Sequence, residues 1–165
     1  MLGILNDREN DFRMLLDRNS DRWLGIAKAY AAKGEREDLF QEMLMQIWKS
    51  LARHEGRSSL DTWAYRVALN TALTWKRGTR NRHFAKNAIT FELDQMPGDT
   101  GSQTREAKML NEFLASLSKK DRAIMLLFLD AIPNQEAAEI MGITEGALRV
   151  RLHRIRKQFE ASFCE

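Results

Sequence analysis

Apolar side chains recur every three to four positions along most of this chain, and only two prolines, Pro97 and Pro133, interrupt its 165 residues. No other feature constrains the fold as tightly. A 3.6-residue apolar period lays one stripe along a helix, and proline is the residue that most reliably breaks one. β-Branched runs are scarce. The expected fold class is all-α.

The stripes divide the chain into zones. Residues Asp11 to Ala32 predict a first helical zone closed by Gly34. "EREDLFQEMLMQIWKSLARH" then places Leu39, Phe40, Met43, Leu44, Ile47, Trp48 and Leu51 on one broad face. Glu35, Glu37 and Asp38 fill its first turn, where the helix dipole favours acids. After a break at Gly56, "LDTWAYRVALNTALTWKR" predicts a further helix, with Gly78 as its C-cap. Trp23, Trp48 and Trp63 sit at helical-face spacings, as core residues do. From Thr90 to Ser102 the period vanishes and Pro, Gly, Asp and Thr accumulate, the composition of a linker. "REAKMLNEFLASL" begins a second helical unit, and Ser118 and Asp121 after it have the spacing of a capping box. The expected organisation is a helical domain over residues 1–88, a flexible linker over 89–103, and a four-helix domain over 104–165.

The last two helices of that second unit, "PNQEAAEIM" and "EGALRVRLHRIRKQF", meet at Gly142. Their spacing is that of a helix-turn-helix. Ala138 is small enough for a close crossing, Gly142 suits a left-handed turn, Ile143 plugs the corner, and Thr144 can cap the incoming helix. Leu148, Leu152, Ile155 and Phe159 form the inward stripe. Burying it leaves Arg149, Val150, His153, Arg154 and Lys157 facing out, on a surface suited to the DNA major groove.

Charge supports a polyanionic partner. The net charge is only +3, but residues 62–91 hold six Lys or Arg and no acid, and residues 149–165 hold five against two. Between them, residues 92–148 carry ten acids against five bases. Two separated cationic blocks suit a nucleic acid long enough to touch both. A single cysteine, Cys164, excludes an internal disulfide and a cysteine-based zinc site. No cofactor is expected. "MLGILNDREN" meets charge too early for a signal-peptide core, and no apolar run reaches the ~20 residues of a membrane span. No membrane insertion is expected, and the cytoplasm is the expected compartment.

Two stretches resemble a known family. "EDLFQEMLMQIWKSL" with "TWAYRVALNTALTWKRGTRNR" is similar to region 2 of bacterial RNA polymerase sigma factors. "LSKKDRAIMLLFLDAIPNQEAAEIMGITEGALRVRLHRIRKQF" is similar to their region 4. With only these two regions and a short linker, the chain resembles the extracytoplasmic-function (ECF) class, over roughly Asp11 to Phe159. The resemblance implies a non-catalytic factor that binds core RNA polymerase, recognises the minus-thirty-five and minus-ten promoter elements and helps open the DNA. It implies docking on the β′ clamp helices through Asp38, Leu39, Gln41 and Glu42, a rest for the second domain on the β flap, and an anti-sigma partner. For the minus-ten element it implies a base pocket of His54, Tyr65, Val67, Ala68 and Asn70, with Arg66, Lys76, Arg77, Arg80 and Arg82 along the strand. For the minus-thirty-five element it implies Thr144, Arg149, Val150, Arg151, His153, Arg154 and Lys157.

Pro133 stands where the family often has a capping serine, and is tolerable as a first helical residue. His54, Trp75 and Val150 also depart from the family's usual residues, which leaves the promoter sequence open. Two other classes compete with this reading. A regulator that binds duplex DNA by its helix-turn-helix would need no polymerase. A nuclease or recombinase would need convergent carboxylates or a nucleophile with its base, and the acids here fall in first turns or the linker.

Overall fold

The computed structural model describes residues 2–75 and 104–163, with side chains from Asp7 onward. Among the described residues there are seven α-helices and no strand. They are α1 (Leu2–Tyr30), α2 (Arg36–Leu51), α3 (Leu60–Thr74), α4 (Arg105–Ser116), α5 (Lys119–Leu129), α6 (Asn134–Met141) and α7 (Glu145–Phe163).

Helices α1, α2 and α3 pack mutually. Phe12, Leu15, Trp23 and Ile26 of α1 meet Leu39, Met43 and Ile47 of α2, all buried. Each such side chain contributes about 2 kcal/mol relative to exposure. Ala64, Ala68 and Ala72, one turn apart on α3, are also buried; their small size lets the neighbouring helices approach closely. The buried amide of Asn19 donates to the Leu15 carbonyl at 3.0 Å and to Asp61 at 2.7 Å, so its polar burial is offset. Trp23 is fully buried. Trp48 and Trp63 are half-buried and pack against the core.

Two helix boundaries differ from the sequence expectation. α1 begins at Leu2, well before Asp11, as one 29-residue helix. Its added turns are secured from outside the helix: the Arg8 guanidinium donates to the Trp48 carbonyl and lies 4.3 Å from the Trp48 ring centre. α3 stops at Thr74, short of Gly78, with Trp75 already extended. The hydroxyls of Thr71 and Thr74 bond back to the carbonyls of Val67 and Asn70. Such back-bonding and β-branching both weaken a helix end.

The second unit follows its caps. Ser118 accepts from the Asp121 amide at 3.1 Å, the forward bond of the expected capping box, and its hydroxyl donates to the Asp121 carboxylate at 2.8 Å. Gly142 adopts φ 65°, and Ile143 donates to the Ala138 carbonyl, the pattern that closes a helix with a left-handed residue. Thr144 accepts from the Ala147 amide at 3.2 Å and so caps α7. Pro133 is the N-cap of α6, one place before the first helical residue expected for it. Phe159 and Phe163 of α7 meet Phe113 of α4 edge-on, at 5.1 and 6.3 Å between ring centres, which fastens the end of α7. The 89–103 linker and Gly78 lie outside the described residues. No helix among the described residues is long and apolar enough to cross a membrane.

Candidate nucleic-acid interface

The outward strip of α7 is the more open surface. Leu148 and Ile155 are buried, Leu152 and Phe159 half-buried, and that fixes the helix's rotation. Arg149, Arg151, His153, Arg154 and Lys157 are exposed, and Val150 is 54% exposed, an uncommon position for an aliphatic side chain. Arg149 pairs with Glu145 one turn earlier, which holds the guanidinium against the helix. Thr144 is exposed but occupied as a cap. The strip offers fork donors, point charges and one methyl-bearing surface. These are the groups that read guanine edges, phosphates and a thymine methyl.

On α2, Asp38, Gln41 and Glu42 are half-exposed. Gln41 donates to Glu37 at 3.4 Å, and Gln46 to Glu42 at 2.7 Å. Leu39 does not join them. It is fully buried and belongs to the α2 face that packs inward, so it holds the helix in place and presents nothing to a partner.

The α3 residues separate into two groups. Val67 and Asn70 line an open cavity of about 550 Å³ with Glu42, Gln46, Thr71, Thr74 and Trp75. The amides of Gln46 and Asn70 can both donate and accept there. Tyr65 and Ala68 are not part of it: both are buried, Ala68 in the bundle core. His54 lies apart, in the loop after α2, with its ring 5.3 Å from that of Trp63. The sequence-derived pocket of His54, Tyr65, Val67, Ala68 and Asn70 is therefore not gathered in one place. Lys76, Arg77, Arg80 and Arg82 lie outside the described residues.

Tyr65 and Arg66 instead meet the second unit. The Tyr65 hydroxyl donates to Asp130 at 2.7 Å. Arg66 donates to the Glu139 carbonyl at 2.6 Å and lies 3.7 Å from its carboxylate. Beside them, the Thr62 hydroxyl donates to Glu136 at 2.8 Å. Burial pushes the Tyr65 hydroxyl far above its ordinary pKa, and the neighbouring Asp130 charge adds to the rise. Tyr65 is therefore a neutral donor at any working pH. Burial also raises the Asp130 carboxyl, against the opposing Tyr65 hydrogen bond and the Arg22 charge. Sequence reasoning did not find Asp130, Glu136 and Glu139 as partners. Their one visible signal was the acidic excess of residues 92–148.

On the α1 side, the Tyr30 hydroxyl donates to the Lys119 carbonyl at 2.5 Å. Burial raises its pKa, with the Arg122 guanidinium opposing. Arg122 itself donates to the Ala29 carbonyl at 2.8 Å and to the carbonyls of Leu114, Ala115 and Leu117 in its own unit.

Comparison with known proteins gives these surfaces a context. Residues 15–82 match the sigma-70 region 2 family, and residues 107–159 match sigma-70 region 4. The ECF RNA polymerase sigma-E factor of Haemophilus influenzae is 25% identical over 163 residues, covering 90% of this chain and 85% of that protein. That of Escherichia coli K12 is 27% identical over the same length, covering 90% of this chain and 84% of its own. Among solved structures, the sigma factor RpoE of Bartonella quintana, in complex with the anti-sigma factor NepR, shares the fold. Its TM-score is 0.67 and its identity 24%, over 92% of this chain and 95% of that one. Both matched regions occur in order on one chain, each carrying one of the two surfaces described above. This chain belongs to the ECF class of the sigma-70 family, the factors that direct promoter-specific initiation by RNA polymerase.

Proposed function

We propose that this chain meets core polymerase through the half-exposed acids and amide of α2, namely Asp38, Gln41 and Glu42. An acidic helix start above a rigid apolar core offers charge steering to a basic coiled-coil partner such as the β′ clamp helices. The region 2-like unit, residues 1–88, engages the minus-ten element through Arg66, Val67, Asn70 and the cations Lys76, Arg77, Arg80 and Arg82. The 104–165 unit engages the minus-thirty-five element through Arg149, Val150, Arg151, His153, Arg154 and Lys157. Arginine to guanine is the commonest specific pairing, so Arg149 and Arg154 address base edges, while the other cations position the helix on phosphates. The apolar surface near Phe128 and Leu129, both 43% exposed, rests on the β flap.

The protein acts in the cytoplasm, contributes no bond-making chemistry of its own, and is held in check by an anti-sigma protein, as its Bartonella counterpart is found bound to one. The observation that carries this reading is the α7 strip: a capped recognition helix, fixed in rotation by buried Leu148 and Ile155 so that five cations and no acid face outward between Arg149 and Lys157. Not all five point the same way, yet none is buried. Run-off transcription with purified core polymerase and a library of promoter-like duplexes tests it. Specific transcripts that require the added chain are expected. No initiation beyond core polymerase alone would eliminate the reading.

A further inference from the structure

A helix turns by about 100° per residue, so the burial of Leu148 and Ile155 decides which residues of α7 stand at the crest of its outward face. They are Gly146, Val150 and Lys157, almost directly opposite the buried pair and all exposed. Arg149 and Arg154 border Val150 on its two sides. Val150 is 54% exposed, and the other large apolar side chains of comparable exposure among the described residues, Met14, Phe128 and Leu129, are not on α7. An aliphatic group in that place can pair neither with a phosphate nor with a polar base edge. Gly146, one turn before it, is a second residue the fold does not call for. A β-carbon there would meet nothing within 4 Å, and glycine weakens a helix relative to alanine. The two residues leave an uncharged, apolar gap along the crest, between cations. That border suits a polyanion and argues against a purely apolar protein surface as the occupant.

We propose that Val150 is a thymine reader: its two methyl groups cover the 5-methyl of one thymine in the minus-thirty-five element, and Gly146 leaves the room for that close approach. The proposal rests on the assignment of α7 to that element. The thymine 5-methyl is the one methyl group that the base pairs present in the major groove, where the other groups read are hydrogen-bond donors and acceptors. Valine packed on it removes apolar surface of both partners from water. Valine packed on a cytosine amino group would cover a donor without pairing it, which is costly. Val150 therefore sets the base at one position, while the cations on either side supply the grip on neighbouring bases and phosphates.

The test uses holoenzyme assembled from core polymerase and the full chain, with duplex promoters whose upstream element is randomised. Selection by the parent should return thymine at one position of one strand. Deoxyuridine at that position keeps every hydrogen-bonding group and lacks only the methyl. It should loosen binding about fourfold, the value of one methyl-sized group taken out of water. With Val150→Ser, both the selection for thymine and the cost of deoxyuridine should disappear. Val150 is exposed, so the variant should match the parent in melting temperature and in capture by core polymerase. Gly146→Leu gives an independent readout. Its β-carbon enters open space and the melting temperature should not fall, yet binding to the selected duplex should weaken. Unchanged binding by Gly146→Leu, no selected thymine whose methyl matters, or an undiminished deoxyuridine cost in Val150→Ser would each overturn the proposal. If the parent holoenzyme selects no upstream sequence at all, it is the assignment of α7 that fails instead.

Discussion

At Asp130 a half-buried carboxyl accepts the Tyr65 hydroxyl from α3 and feels the Arg22 charge from α1. Burial outweighs both and raises its pKa, so the folded chain holds this proton more tightly than the unfolded chain does. Linkage sets the sign: the contribution to stability is complete below the unfolded pKa and is lost as pH rises through the raised one. Asp130→Asn keeps an acceptor for Tyr65 and removes the titration. The melting temperature of the parent minus that of Asp130→Asn should therefore increase as pH falls from neutrality towards the ordinary carboxyl range of about 4. A difference that stays constant would show that Asp130 does not titrate differently on folding. Tyr65→Phe leaves the carboxyl without its donor and should cost about 1–2 kcal/mol in denaturant melts. On α7, Arg149→Ala should cost about 1–3 kcal/mol at one base pair of the upstream element. Competition between single-base promoter variants on the holoenzyme would register it; a uniform loss across all variants would assign Arg149 to phosphate.

The α6–α7 element depends on a backbone that only one residue type adopts readily. Gly142 sits at φ 65° with open space around its α-carbon, so Gly142→Ala meets no steric neighbour and pays only for the left-handed conformation. A loss of about 1–2 kcal/mol is expected from thermal melts, with reduced minus-thirty-five discrimination if the angle of α7 shifts. This element was legible in the sequence because each of its parts is local: small residue, turn glycine, corner isoleucine, cap threonine and leucine stripe lie within one short segment. The core face of α2 was legible for the same reason, since its apolar period is long and uninterrupted. The ends of α1 and α3 were not. The start of α1 is stabilised by Arg8 on Trp48, 40 residues away, and no window on the first turns contains that partner. Leu39 was placed in both the apolar stripe of α2 and the docking set, because a docking motif and a core stripe share the same helix, and its full burial agrees with the stripe.

For the molecule as a whole, the α2 surface and the basic blocks make separate predictions. Asp38→Ala with Gln41→Ala should abolish capture by core polymerase while circular dichroism keeps the parent's helicity. Retained capture would place docking elsewhere. If the basic blocks together neutralise roughly six phosphates, promoter binding by the holoenzyme should weaken with a log–log salt slope steeper than that of core alone by roughly 5. What the sequence could not reveal at this scale is the contact between the two units. Its partners lie 65 to 74 residues apart along the chain, and an acidic excess does not say which cation it faces. Arg122 adds a consequence for how that arrangement comes apart. Of its four carbonyl partners, three are in the unit that carries it and one, Ala29, is across the boundary. Separation thus strips this guanidinium of a single bond and leaves the α4–α5 corner still tied. The promoter-reading half can swing away as a finished, rigid piece, ready to grip DNA without first having to refold.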